Sequence, residues 1–216
     1  FKQKLSEKGG YLIDSFDISR PNFNAKNAIQ KVRKYGKSAI VLVPDGQVTD
    51  SFAHALKIIE ENDGQNWIVS DSSIYSPKTL EIGQPQLLEK LMVTVNWHHL
   101  NNPKDNFAKT AKELWGGPVS DRTALSYDAA QVLIKGIEEN GEKHRREIKK
   151  ILAGENFRVD GVTGEITFQP RTGDRKKHPL ELVKVVRCDN QVFNFVFIPE
   201  KYSKPEDAGL NCSISK

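Results

Sequence analysis

Ser38-Ala39-Ile40-Val41-Leu42-Val43, closed by the turn residues Pro44-Asp45-Gly46, is a short, unbroken apolar run. Such a run is how a strand buried on both faces of a parallel sheet reads. Upstream, Asn24 is placed to cap a helix running to Tyr35, with Ala28, Ile29 and Val32 on one face and Gly36 at its end. Further upstream, Tyr11 to Phe16 reads as a strand, preceded by a helix end over Phe1 to Glu7 that Gly9 and Gly10 stop. Downstream, Phe52, Ala55, Leu56 and Ile59 keep helical spacing in a helix from about Thr49 to Glu61. Asn62, Asp63 and Gly64 break it, and Trp67 to Val69 is the next strand. Helices and strands alternate, so the expected fold class is α/β: a three-layer sandwich with a mostly parallel sheet. With right-handed crossovers the strand ends share one edge, and ligands of such sheets bind beyond the carboxyl ends. Those ends are Pro44 to Gln47 and Ser70 to Ser73.

Beyond Val69 the pattern loosens. Leu91 to Val95 is a fourth strand, and Asn96 to Pro103 a loop carrying Trp97, His98 and His99. Asn106 to Trp115 reads as a helix closed by Gly116-Gly117-Pro118. Asp121 to Glu139 is the clearest helix, with Ala124, Tyr127, Ala130, Leu133, Ile134 and Ile137 as its apolar stripe. Another runs from about Lys143 to Leu152. The period then becomes two, giving strands over Gly164 to Phe168, Leu180 to Val186 and Val192 to Ile198. Asp189-Asn190 makes the last two a hairpin, and a polar tail follows from Pro199.

The 216 residues are 38% hydrophobic and 28% charged, the composition of a soluble globular chain. No apolar run approaches the roughly 18 residues of a membrane span. Phe1 stands where a translated chain has Met, so the expectation is a piece of something longer. Net charge is +4 and well mixed, with basic stretches only at Lys143–Lys150 and Arg171–Lys177. Neither is interleaved with aromatics, which argues against nucleic acid as a partner. Cys188 and Cys212 have no neighbours at metal-ligand spacing; they either pair, pinning the tail, or stay free.

Few residues suggest chemistry. His98 and His99 are adjacent, so on a strand they point to opposite faces and do not share a metal. Ser70-Asp71-Ser72-Ser73 lacks the surroundings of a hydrolase elbow, and Gly161 to Gly164 lacks the Lys and following helix of a phosphate loop. Asp45 and Asp71, at the ends of neighbouring strands, are suited to a ligand ammonium; turn formation explains them equally well.

Three segments carry a family resemblance. They are Gly9 to Val43, then Ser126-Tyr127-Asp128-Ala129-Ala130 opening the long helix, then Phe157 with Asp160-Gly161-Val162-Thr163-Gly164-Glu165-Ile166-Thr167-Phe168, Gly173-Asp174-Arg175 and Leu182 to Val186. Together they resemble the type I periplasmic binding fold, in the branch serving branched-chain amino acid ABC transporters. That family shows the same order: a "GxTGxIxF" strand, a Gly-Asp turn and an "LVxV" strand. The resemblance implies that residues 1–97 are lobe two, 98–180 the C-terminal part of lobe one, 181–198 return strands and 199–216 a tail. It implies that the chain starts inside the first helix of lobe two. Capture of a small polar, amino-acid-like solute between two hinged lobes follows, with no bond made or broken, no enzyme activity, no cofactor and no metal. Asp45, Gln47, Asp71, Ser72, Trp97 and Tyr127 are the ligand-binding candidates, with Asp71 or Ser72 at the place of the family's ammonium-holding acid. The implied location is periplasmic or extracellular, and the implied partner an ABC transporter permease or, alternatively, a fused signalling domain. Taken alone, this stretch is expected to bind weakly and to form a homodimer through Ala124 to Ile137.

Overall fold

A computed structural model describes residues 1–45, 48–101, 106–117, 119–141 and 145–212, with backbone alone at Arg145. The chain divides into two compact units, Phe1–Val93 with Val183–Lys216, and Thr94–Leu182. The first unit opens with α1 (Lys2–Glu7) and α2 (Ala25–Lys34). Asn24 starts α2 as its sequence suggests: its side-chain oxygen accepts the Asn27 backbone N–H at 2.9 Å. β1 (Ala39–Leu42), α3 (Ser51–Asn62) and β2 (Trp67–Ser70) follow, then the short helices α4 (Pro77–Leu80) and α5 (Pro85–Leu88), then β3 (Leu91–Val95). The turn from α3 to β2 is closed by Asn62, whose buried side chain donates to Asn66 O at 2.9 Å and accepts from Asn66 N at 3.1 Å. Gly64 in that turn has φ +63°, and a Cβ there would lie 2.2 Å from the Gln86 carbonyl oxygen, so only glycine fits.

The second unit is mainly helical: α6 (Phe107–Trp115), α7 (Asp121–Asn140) and α8 (Arg145–Leu152). The antiparallel pair β4 (Val159–Gly161) and β5 (Gly164–Ile166) completes it. Val132 of α7 packs with Phe157, Val159 and Ile166, and Ile151 and Leu152 of α8 lean on that cluster. Gly136 lets α8 approach closely; a Cβ there would come within 2.9 Å of the Leu152 side chain.

The chain then returns through β6 (Glu181–Arg187) and β7 (Phe195–Pro199), an antiparallel hairpin in register from Val183↔Pro199 to Arg187↔Phe195. β1 to β2 and β2 to β3 are parallel, and the five-stranded sheet runs β1-β2-β3-β6-β7. The α/β class with a mostly parallel central sheet is therefore what the alternation predicted. Ile59, Ile68, Leu88, Leu91, Val93, Val183 and Ile198 are fully buried around this sheet. Each such side chain contributes about 1.5–3 kcal/mol relative to exposure. The cysteines resolve in favour of pairing: Cys188 is disulfide-bonded to Cys212, and the tail carries a 3-10 turn at Pro205–Ala208.

Several expectations need correcting. Tyr11 to Phe16 is not a strand; no ladder partner meets it among the described residues, and Tyr11 is 80% exposed. β1 is not buried on both faces, because it is a sheet edge and Val41 is 47% exposed. The strand expected over Gly164 to Phe168 stops at Ile166, with Phe168 in an isolated bridge to Arg175, and β4 was not foreseen. The last strand starts only at Phe195, since Val192 lies in the exposed turn. The apolar stripe on α7, the face expected to take part in self-association, lies mostly outward: Tyr127, Leu133, Ile134 and Ile137 are exposed, whereas Asp121, Ala124, Asp128, Val132, Gly136 and Asn140 are buried.

Candidate functional site

Parallel pairing puts the carboxyl ends of β1 and β2 side by side, with Leu42 opposite Ser70. Two serine hydroxyls lace the segments beyond: Ser70 Oγ donates to Leu42 O at 2.9 Å and Ser73 Oγ to Pro44 O at 3.2 Å. The sequence places Ser73 only within the Ser70–Ser73 strand end and gives it no role of its own. The lacing brings Asp45, Asp71 and Ser72 to one edge of the first unit. Gln47 lies outside the described residues.

Each acid helps fold its own loop. One oxygen of Asp45 accepts the Thr49 N–H at 3.2 Å and the Ser51 hydroxyl, and Ser51 Oγ in turn accepts the Asp45 N–H at 3.0 Å. These bonds, that from Ser51 first and Thr49 next, hold the Asp45 carboxyl below its ordinary range, so it is a carboxylate at neutral pH. Asp71 Oδ1 accepts the Ser73 N–H at 3.0 Å. In both acids the Oδ2 atom takes no hydrogen bond among the described residues, and the Ser72 hydroxyl takes none either. The edge therefore presents two carboxylate oxygens and a hydroxyl oriented by local bonds, a set that accepts N–H groups from a cationic or polar solute.

Trp97 and Tyr127 belong to the second unit. Trp97 is 5% exposed and meets Phe107 edge-on, ring centroids 5.8 Å apart. Phe107 meets Tyr127 at 5.0 Å, and Tyr127 keeps an open face. An aromatic row thus joins the two candidates through a residue that sequence reading treated only as the start of a helix. His98 and His99 do not splay to opposite faces, because no strand runs through them; their rings stack at 4.7 Å where a 3-10 turn begins at His99. Burial, with Lys112 adding to it, holds the His99 imidazole below its ordinary pKa. No group of three His, Cys, Asp or Glu suited to a metal occurs among the described residues.

The motif residues converge elsewhere. Asp128, buried in α7, accepts from Val162 N at 2.7 Å, Thr163 N at 3.0 Å and the Thr163 hydroxyl. Arg175 donates to Thr163 Oγ1 at 2.7 Å and to the carbonyls of Thr163, Gly164 and Glu165 at 3.0–3.2 Å. Burial pulls the guanidinium pKa down and the nearby Asp128 charge opposes it. A Cβ at Gly161 would sit 2.6 Å from the Asp128 carboxyl. The Tyr-Asp-Ala-Ala, Asp-Gly-Val-Thr-Gly and Gly-Asp-Arg segments are thus parts of one structural clamp.

No curated protein matches this chain. Solved structures share its fold, two of them as follows. A putative branched-chain amino acid ABC transporter from Rhodospirillum rubrum is 19% identical at TM-score 0.67, over 92% of this chain and 55% of that one. An amino acid ABC transporter substrate-binding protein from Pseudomonas fluorescens Pf-5 is 13% identical at TM-score 0.61, over 99% of this chain and 57% of that one. The chain spans a little over half the length of each. The sequence pattern of the periplasmic binding protein family matches residues 1–191, most of the chain. The chain belongs to the periplasmic binding protein family.

Proposed function

We propose that the protein captures a small polar solute with a protonated amine, an amino acid or a close relative, and delivers it to an ABC transporter permease from the periplasm or the outer surface of a cell. The observation that carries this reading is the strand-end edge of the first unit. There Asp45 and Asp71 each hold one uncommitted oxygen beside the Ser72 hydroxyl. Family membership and the two structural likenesses, both to ABC transporter proteins, support it. No helix among the described residues is long and apolar enough to cross a membrane. Nothing is made or broken in this role: the acids accept hydrogen bonds from the solute's ammonium and the hydroxyl orients it.

Isothermal calorimetry with an amino-acid panel, extended to amides, urea and aromatic acids, tests the reading. Saturable heat with one amine-bearing solute is the expected outcome. Heat with none of these solutes would remove the transport role, and turnover of a bound solute would replace it with an enzyme.

A further inference from the structure

Each unit leaves one apolar face open. In the first unit the pairing of β1, β2 and β3 sends Leu42, Ile68 and Val93 to one face of the sheet, where all three are buried. The opposite face carries Val41 and Trp67, 47% and 52% exposed. Val43 beyond them is exposed too, and Val69 and Met92 on the same face are half-buried. In the second unit α7 presents Tyr127, Leu133, Ile134 and Ile137 at helical spacing, all exposed. Helices and sheets of this fold class bury their apolar faces against each other.

The two faces match in size. From Tyr127 to Ile137 the stripe runs about 15 Å along the helix, and strands of four or five residues run about 13–17 Å. Each face exposes on the order of 350 Å² of apolar surface, the size of patch that marks an interaction site on a monomer. One contact of helix on sheet would bury about 700 Å², short of the roughly 1,200 Å² at which specific interfaces begin, whereas two would bury about 1,400 Å² and reach it. Packing α7 on α7 would cover the helix stripe and leave the sheet face in water. We propose that two copies of this chain associate with α7 of each seated on the open sheet face of the other, so that both faces of both copies are covered. A contact made reciprocally closes under a two-fold axis and does not propagate into fibres, so the assembly stops at a dimer.

Analytical ultracentrifugation of the native chain tests this. The expected result is a monomer–dimer equilibrium with a dissociation constant of about 10–100 µM, as an interface at the low end of the standard range allows. In the dilute solutions used for unfolding curves the chain is then largely monomeric. Val41→Asp and Ile134→Lys should each weaken the dimer at least about tenfold, because each substitution spoils both contacts. An equal mixture of the two variants should associate more strongly than either alone, since it keeps one native contact and sets Asp against Lys in the other. A monomer at every concentration overturns the proposal. So does a Val41→Asp chain that dimerises like the native one, which would leave the dimer to α7 alone, or a mixture no stronger than its components. If either variant does not fold, the native chain still decides. Its Trp67 indole N–H signal should shift on dilution as the ring leaves the interface, and an unmoved signal overturns the proposal.

Discussion

At Asp45 and Asp71 one carboxylate oxygen is spent on the backbone of its own loop, which fixes the direction of the other. Turn former and ligand acceptor are therefore not rival roles, and the sequence, which cannot divide one carboxylate between two uses, left them as alternatives. Asp45→Asn and Asp71→Asn keep an oxygen for the turn and lose the charge. Each should weaken a solute with a protonated amine about ten- to hundredfold in calorimetry, with the thermal melt nearly unchanged. Unaltered affinity in both would remove the edge from the binding site. Asp17 offers a check on the first unit's surface. The Ser19 hydroxyl, then Arg20, lower its pKa to about 2. A depressed folded pKa stabilises the fold above the unfolded value of about 3.9, and that contribution is lost as pH falls toward about 2. An NMR titration of its side chain should give a midpoint near the lower figure; one near the unfolded value would mean that the Ser19–Arg20 cluster does not form. Asp128 is the opposite case, a buried acid spent entirely on protein donors. Asp128→Ala strands the amides of Val162 and Thr163 and should cost about 2–5 kcal/mol in urea unfolding. A loss below about 1 kcal/mol would show that the clamp is not structural.

Among the elements, α7 separates what a sequence can tell from what it cannot. Its existence and extent follow from periodicity, but its buried face does not. The more apolar side is exposed, and the inward side holds Asp121, Ala124, Asp128, Val132, Gly136 and Asn140. Two long-range facts decide this: Asp128 must reach amides 34 and 35 positions away, and Gly136 must let α8 come close. No local pattern encodes either. The same limit explains β1, whose apolar run gives a correct strand but says nothing of its place at the edge, and Tyr11 to Phe16, which has strand-like residues and no ladder partner among the described residues. By contrast the βαβ order from Ala39 to Val95, the parallel sheet and the final hairpin were legible, because each depends on adjacent segments. In the candidate site, strand ends put Asp45, Asp71 and Ser72 on one edge, while Phe107 and Ser73 gain meaning only through partners distant in sequence. The inversion of α7 makes a sharp prediction. Val132→Ala should cost about 2 kcal/mol, whereas Ile134→Lys should change stability by less than about 0.5 kcal/mol. Equal losses in paired chemical-unfolding curves would show that the stripe is buried after all.

Across the whole molecule, the covalent link from Cys188 to Cys212 matters most to how the chain holds together. It closes a ring across a sequence separation of 24 that contains β7, a sheet edge, and the tail. A ring of that size should add about 3 kcal/mol by restricting the unfolded chain, so Cys188→Ser with Cys212→Ser should lower unfolding stability by up to that amount. Unfolding curves with and without a dithiol reductant give the same comparison on the native chain, and coincident curves would show that the ring contributes nothing. The ring also changes what damage looks like. The bond after the exposed Lys201 is open to a trypsin-like protease, whereas Pro205 shields the one after Lys204. A cut there severs the backbone but releases nothing, since both pieces stay tied through sulfur. Nicked molecules should therefore run as a single full-mass band on a denaturing gel without reductant and part into two fragments once a thiol is added.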